Sequence, residues 1–188
     1  MSYIEVKSPD IMVLEFRQEK GDQDYGSCLW ARFYLDMENY HLSIESDCGN
    51  YGHGWVPTPQ SESFLELLQR MDEHYFLSKI SCQNVVDTEN TFEAVKEMLE
   101  DEAEYKGIYL EEADIYMDDI YTACTCKTDV EVRDAIVYEL RGTALDGIDH
   151  CDLYDCIKMD YPTDAQKIAN IFTKFVQPKI KELLEVSK

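Results

Sequence analysis

The period of the apolar pattern changes once along this chain, near residue 60, and that change limits the fold more than any other feature. Before it, apolar and polar residues alternate. Leu29, Ala31, Phe33 and Leu35 alternate with Trp30, Arg32 and Tyr34, and then Tyr40, Leu42 and Ile44 with His41, Ser43 and Glu45. A period of two places each set on its own face, so both runs predict strands with one face buried. Asp36-Met37-Glu38-Asn39 between them is short enough for a hairpin turn. Ile11 to Phe16 is a third, mostly apolar run. Trp30 and Tyr34 predict partial cover on the second face as well. Cys48-Gly49-Asn50-Tyr51-Gly52-His53-Gly54-Trp55 then brings three glycines within six positions. It matches neither common phosphate-binding spacing and has no Lys, so it reads as a structural turn.

After residue 60 the rhythm is helical. Phe64, Leu67, Leu68, Met71 and Tyr75 follow one buried helix face, with Ser63 and Glu66 spaced as a capping box. Phe92, Val95, Leu99 and Ala103 mark a second helix capped near Asp87 or Thr88, and Leu110, Ala113, Met117, Ile120 and Tyr121 a third. Thr128 with Glu131 opens a fourth, carrying Val132, Ala135, Ile136 and Leu140, and Gly142 stands where a helix-ending glycine belongs. Cys156 to Tyr161 reads as one more strand. Thr163 with Gln166 caps a last helix whose buried face is Ile168, Ile171, Phe172, Phe175 and Val176, with Pro178 kinking or restarting it. The expected fold is α+β, a single domain over residues 1–188. An N-terminal antiparallel sheet of about three strands, with one more near 156–161, packs against about five helices.

Charge narrows the choice of partner. The 188 residues hold 39 acids and 17 bases, a formal net of −22, and residues 61–130 alone hold 18 acids and 5 bases. Such a field repels nucleic acid and anionic membranes and attracts basic surfaces, which are mostly found on nucleic-acid-binding proteins. The first ten residues lack the basic and apolar regions of a signal peptide, and no apolar run reaches the roughly 18 residues of a membrane span. A soluble protein of the cytoplasm is expected. Seven cysteines at irregular spacing are expected as reduced, buried thiols.

The partner-binding candidates lie on the second and third helices. Glu93, Glu97, Glu100 and Glu104 fall at i, i+4, i+7 and i+11, a stripe about 60° wide that faces away from Phe92, Val95 and Leu99. Over roughly 16 Å it presents one carboxylate per ~4–5 Å, near the ~3.4 Å charge spacing of one DNA strand. Glu111, Glu112, Asp118 and Asp119 repeat the theme, with Ile115 and Tyr116 expected to project among them as in an interface. The alternative is a solvated face that keeps an acidic protein soluble.

Chemistry is less legible. Asp146, Asp149, Asp152 and Asp155 recur every third residue with His150, Cys151 and Cys156 among them, but match no EF-hand or zinc-ribbon spacing. Cys124, Cys126, Cys151 and Cys156 are weighed as a four-thiolate zinc set, although Cys-x-Cys is atypical. Of the four histidines, His53 beside Trp55 is best placed for a contact role. No catalytic, metal or cofactor residue is assigned.

Cys28-Leu29-Trp30-Ala31-Arg32-Phe33, Ser46-Asp47-Cys48-Gly49-Asn50-Tyr51-Gly52 and Ser61-Glu62-Ser63-Phe64-Leu65 resemble stretches in small proteins of bacterial mobile elements and phages in Firmicutes. The likeness covers mainly the first 75 residues and contains no catalytic motif. In size and charge the chain also resembles anti-CRISPR proteins that inhibit Cas9. The resemblance implies a phage-side inhibitor that binds a nucleic-acid-handling effector, and together with the acidic helices it leads to the expectation of a non-enzymatic anti-CRISPR protein occupying a basic DNA- or guide-binding surface of a Cas9-type effector. Two alternatives stand beside it: an immunity protein or antitoxin against a nuclease toxin, and a metal-dependent nuclease acting on guide RNA.

Overall fold

The computed structural model describes residues 4, 10–22, 25–58, 60–108 and 116–186. The chain divides into two compact units, Met1–Cys82 with Tyr161–Lys188, and Gln83–Asp160. Each has its own buried apolar cluster. The fold is α+β, and no helix among the described residues is long and apolar enough to cross a membrane.

The first unit contains a four-stranded antiparallel sheet in the order β1 (Ile11–Arg17), β2 (Trp30–Asp36), β3 (His41–Ser46), β4 (Gly49–Gly54). Phe33 pairs with Ile44 and Leu35 with Leu42, which puts Ala31, Phe33, Leu35, Leu42 and Ile44 on the buried face, as the alternation requires. Leu29 departs from the pattern because it precedes the strand and is 43% exposed. On the opposite face Arg32 lies 3.1 Å from Glu15 and over the Trp30 ring, and the Tyr34 hydroxyl donates to Glu45. Cross-strand contacts therefore half-bury that face.

The glycine-rich segment is a strand rather than a turn. Its period is hidden because three of the six β4 residues are glycines and Tyr51 is its one large side chain facing the core. A Cβ on Gly52 would stand 3.0 Å from the Leu42 carbonyl oxygen, so glycine allows β4 to lie this close to β3. Gly52→Ala is expected to cost about 1–3 kcal/mol, read from urea denaturation followed by tryptophan fluorescence.

The expected helix through Tyr75 is two helices, α1 (Phe64–Arg70) and α2 (Glu73–Ile80). The Ser63–Glu66 capping box forms. Met71 is extended, and the Asp72 carboxylate accepts the Tyr75 N–H at 2.7 Å to start α2. Tyr75 is consequently exposed, and Phe76, Leu77 and Ile80 face the core. Gln177 donates to the Leu68 and Met71 carbonyls, which α1 leaves without helical partners.

Near the C-terminus, a π-helical turn at Phe172–Val176 joins α7 (Thr163–Ile171) to α8 (Gln177–Val186). The extra residue of that turn rotates Phe175 off the buried face, leaving it 54% exposed with its ring 4.9 Å from Phe16. Pro178 follows directly on that turn, inside a run that stays helical from Thr163 to Val186, and it has no N–H to offer the carbonyls of the turn. The Thr163–Gln166 capping box does not form. Pro162 holds the cap position, and Gln166 donates to the Tyr161 carbonyl.

The second unit is helical: α3 (Thr88–Lys106), α4 (Met117–Cys124), α5 (Asp129–Leu140) and α6 (His150–Cys156). Asp87 caps α3, Thr128 and Glu131 form their capping box on α5, and Gly142 follows at φ 76°. Val95, Leu99, Ala103, Ile120, Val132, Ile136 and Leu140 are buried as expected, whereas Phe92 and Ala135 are half-buried. Tyr121 sits at the edge, its ring 5.2 Å from Phe92 and its hydroxyl donating to Glu89. The expected strand at 156–161 is reduced to β6 (Met159–Asp160), which pairs with β5 (Val85–Val86) and does not join the four-stranded sheet. Residues 109–115, the start of the expected third helix, lie outside the described residues.

Candidate partner-binding surface

The helical unit holds most of the excess charge. Residues 83–160 carry 22 acids and 6 bases, against 17 and 11 in the rest of the chain. Within the unit, α3 organises the acids. Burial of Val95, Leu99 and Ala103 fixes its rotation and turns Glu93, Glu97 and Glu104 fully outward. Glu100 is half-buried, with Lys96 3.7 Å away.

The stripe borders a groove of about 640 Å³ between α3 and the 147–158 segment. Glu97, Asp101 and Glu102 form one wall and Asp149, Asp152 and Asp155 the other, over an apolar floor that includes Ala94, Met98 and Ile148. Six carboxylates line it with one lysine, Lys158. An adjoining depression adds Asp87, Glu93 and Asp160 around the same lysine. Buried Thr91 holds this wall in place by accepting the Lys158 N–H at 3.0 Å and donating to the Lys158 carbonyl. Asp149 has a structural task as well: its carboxylate caps α6 by accepting the Cys151 N–H at 2.7 Å. The every-third-residue aspartates thus form the far wall of a groove whose near wall is the acidic helix. The sequence spacing showed the aspartates but not what they face.

Asp118 and Asp119 are exposed in the first turn of α4. Tyr116 is not the exposed aromatic the sequence suggests. It occupies the cap position of α4, is half-buried and packs against the unit's core. Glu111, Glu112 and Ile115 lie outside the described residues.

Neither metal set weighed from the sequence assembles. Among the described residues, the cluster of three His, Cys, Asp or Glu side chains with ligand atoms within 4.8 Å of one another is Cys28, Asp47 and Cys48. It includes none of Cys124, Cys126, Cys151, Cys156 or Asp146 to Asp155. All seven thiols are free, and Cys28, Cys48, Cys124 and Cys156 are buried. Burial raises the Cys124 thiol to about 11, so it is not a ready thiolate nucleophile at neutral pH. His53 lies edge-on to Trp55 at 4.6 Å, and burial lowers its pKa. Trp55 packs against Phe64, and its buried Nε1 has no acceptor among the described residues, so Trp55 faces the sheet unit's core instead of forming an open loop contact.

A model of the phage family Phage_phiTE_072 matches residues 5–182. No curated protein and no solved structure matches the chain.

Proposed function

The chain belongs to the Phage_phiTE_072 phage family, and on that premise we propose that it is a non-enzymatic anti-CRISPR inhibitor that acts in the host cytoplasm on a Cas9-type effector. The observation that carries this reading is the acidic face and groove of the helical unit, with Glu93, Glu97 and Asp101 on one side and Asp152 and Asp155 on the other. Carboxylates at this density suit a basic channel that otherwise holds the target DNA or guide duplex. The phage origin supplies a reason to block such a channel. The inhibitor itself does not bind nucleic acid, because its field repels phosphate.

The test is a target-cleavage assay with a Cas9–guide complex from the host, run over a salt series, with guide integrity followed in EDTA and in Mg²⁺. Inhibition that weakens as salt rises, with intact guide RNA, is the expected result. Guide RNA cut only when metal is present would assign the protein to the metal-dependent nucleases instead. Unimpaired cleavage, together with capture of a basic nuclease toxin from the host, would assign it to the immunity proteins.

A further inference from the structure

The segment just before β2 and the β3–β4 turn bring two thiols and a carboxylate together in the sheet-containing unit. The Cys28 Sγ lies 3.3 Å from Asp47 Oδ1, and the Cys48 Sγ completes a group whose ligand atoms all lie within 4.8 Å of one another. We propose that Cys28, Asp47 and Cys48 bind a zinc ion, with water in the fourth position.

The dimensions agree with the ion. Zinc–sulfur bonds of about 2.3 Å and zinc–oxygen bonds of about 2.1 Å imply tetrahedral edges of roughly 3.6–3.8 Å. The three ligand atoms close on such a centre with shifts of roughly an ångström or less. Two thiolates select a borderline-soft ion over Mg²⁺ or Ca²⁺. The cysteines are buried and Asp47 is exposed, so the open position lies on the solvent side.

The surroundings fix the ligands before any ion arrives. Asp47 Oδ2 accepts the Leu29 N–H at 2.9 Å. Ser46 accepts the Cys48 N–H and donates to the Gly49 carbonyl, and Tyr51 donates to the Cys48 carbonyl at 2.8 Å. Gly49 closes the turn at φ 107°, where a side chain would also crowd the Tyr51 hydroxyl. Such outer contacts orient ligands and sharpen affinity. Without the ion, the Cys28 S–H donates to Asp47 and the Cys48 S–H to the Ser27 carbonyl. Binding replaces these two protons, and both leave to solvent.

The test is titration of the full-length protein, reduced and stripped of metal, first with Co²⁺ and then with Zn²⁺. One Co²⁺ per chain with a thiolate-to-cobalt charge-transfer band, bleached by one equivalent of Zn²⁺, is expected. The band should survive Cys82→Ser with Cys151→Ser, which change the two exposed thiols. Asp47→Asn should weaken binding at least about tenfold, and Cys48→Ser should abolish the band. If Cys48→Ser does not fold, the parent titration and Asp47→Asn still decide. A parent protein without the band, or a band unchanged in Asp47→Asn, overturns the site.

Discussion

Phe172→Ala is expected to lower the stability of the sheet-containing unit by about 3–5 kcal/mol. The Phe172 ring is fully buried, stacks face to face on Phe76 at 3.8 Å and 1°, and lies 6.2 Å from Phe33. Truncation opens a cavity between the sheet and the helices, and the aromatic pairing adds about 0.5–1.5 kcal/mol to the loss. Against a typical total of about 5–15 kcal/mol, that is a large fraction of what keeps the unit folded. Phe175→Ala, three residues on, removes a ring that is 54% exposed and should cost less than about 1 kcal/mol. Urea denaturation followed by tryptophan fluorescence measures both, because Trp30 and Trp55 belong to this unit. Equal losses at the two positions would mean that the π-helical turn does not orient these rings as described.

That pair of residues also shows what was legible in the sequence. Wherever one side chain per period faces a core, the pattern was readable, as at Ala31, Phe33 and Leu35 on β2, or Val95, Leu99 and Ala103 on α3. Local hydrogen-bonding signals were equally clear at Ser63, Asp87 and Thr128, because a cap is specified within four residues. What failed depended on distant partners. The break at Asp72 coincides with Gln177, more than 100 residues away, bonding to the freed carbonyls of α1. β4 has too few apolar side chains to carry a period, and its pairing with β3 rests on backbone approach at Gly52. Phe175 followed the α-helical rhythm until a wide turn changed the angle. The candidate surface divides in the same way. Glu93, Glu97, Glu100 and Glu104 could be placed on one face from spacing alone. Asp152 and Asp155 gain their meaning only from the packing of α6 beside α3.

Reversing Glu97, Glu100, Glu104, Asp118 and Asp119 to Lys is expected to abolish inhibition and leave a folded protein. On the folding side the terms are small and of opposite sign. Reversal removes the like-charge contacts of Glu93 with Glu97 and Glu97 with Asp101, worth about 0.2–0.5 kcal/mol each. It also removes the Lys96–Glu100 pair, worth about 0.3–0.5 kcal/mol. Lysines in the first turn of α4 oppose the helix dipole, costing about 0.3–1 kcal/mol at each of positions 118 and 119. The balance is roughly 1–2 kcal/mol at most, within the margin of a stable unit. On the binding side all five changes act in one direction. At roughly 0.4–2 kcal/mol for each attraction turned into repulsion, they sum to at least about 2 kcal/mol, a thirtyfold or greater loss of affinity. Circular dichroism and thermal melts check the fold, and the Cas9 cleavage assay checks inhibition. A second variant, Asp152→Lys with Asp155→Lys, changes only the far wall of the groove. It should weaken inhibition if the partner enters the groove, and leave inhibition unchanged if the partner rests on the outer stripe of α3. Full inhibition by a folded five-site variant would separate the acidity of this chain from its activity and leave the charge as a solvation device.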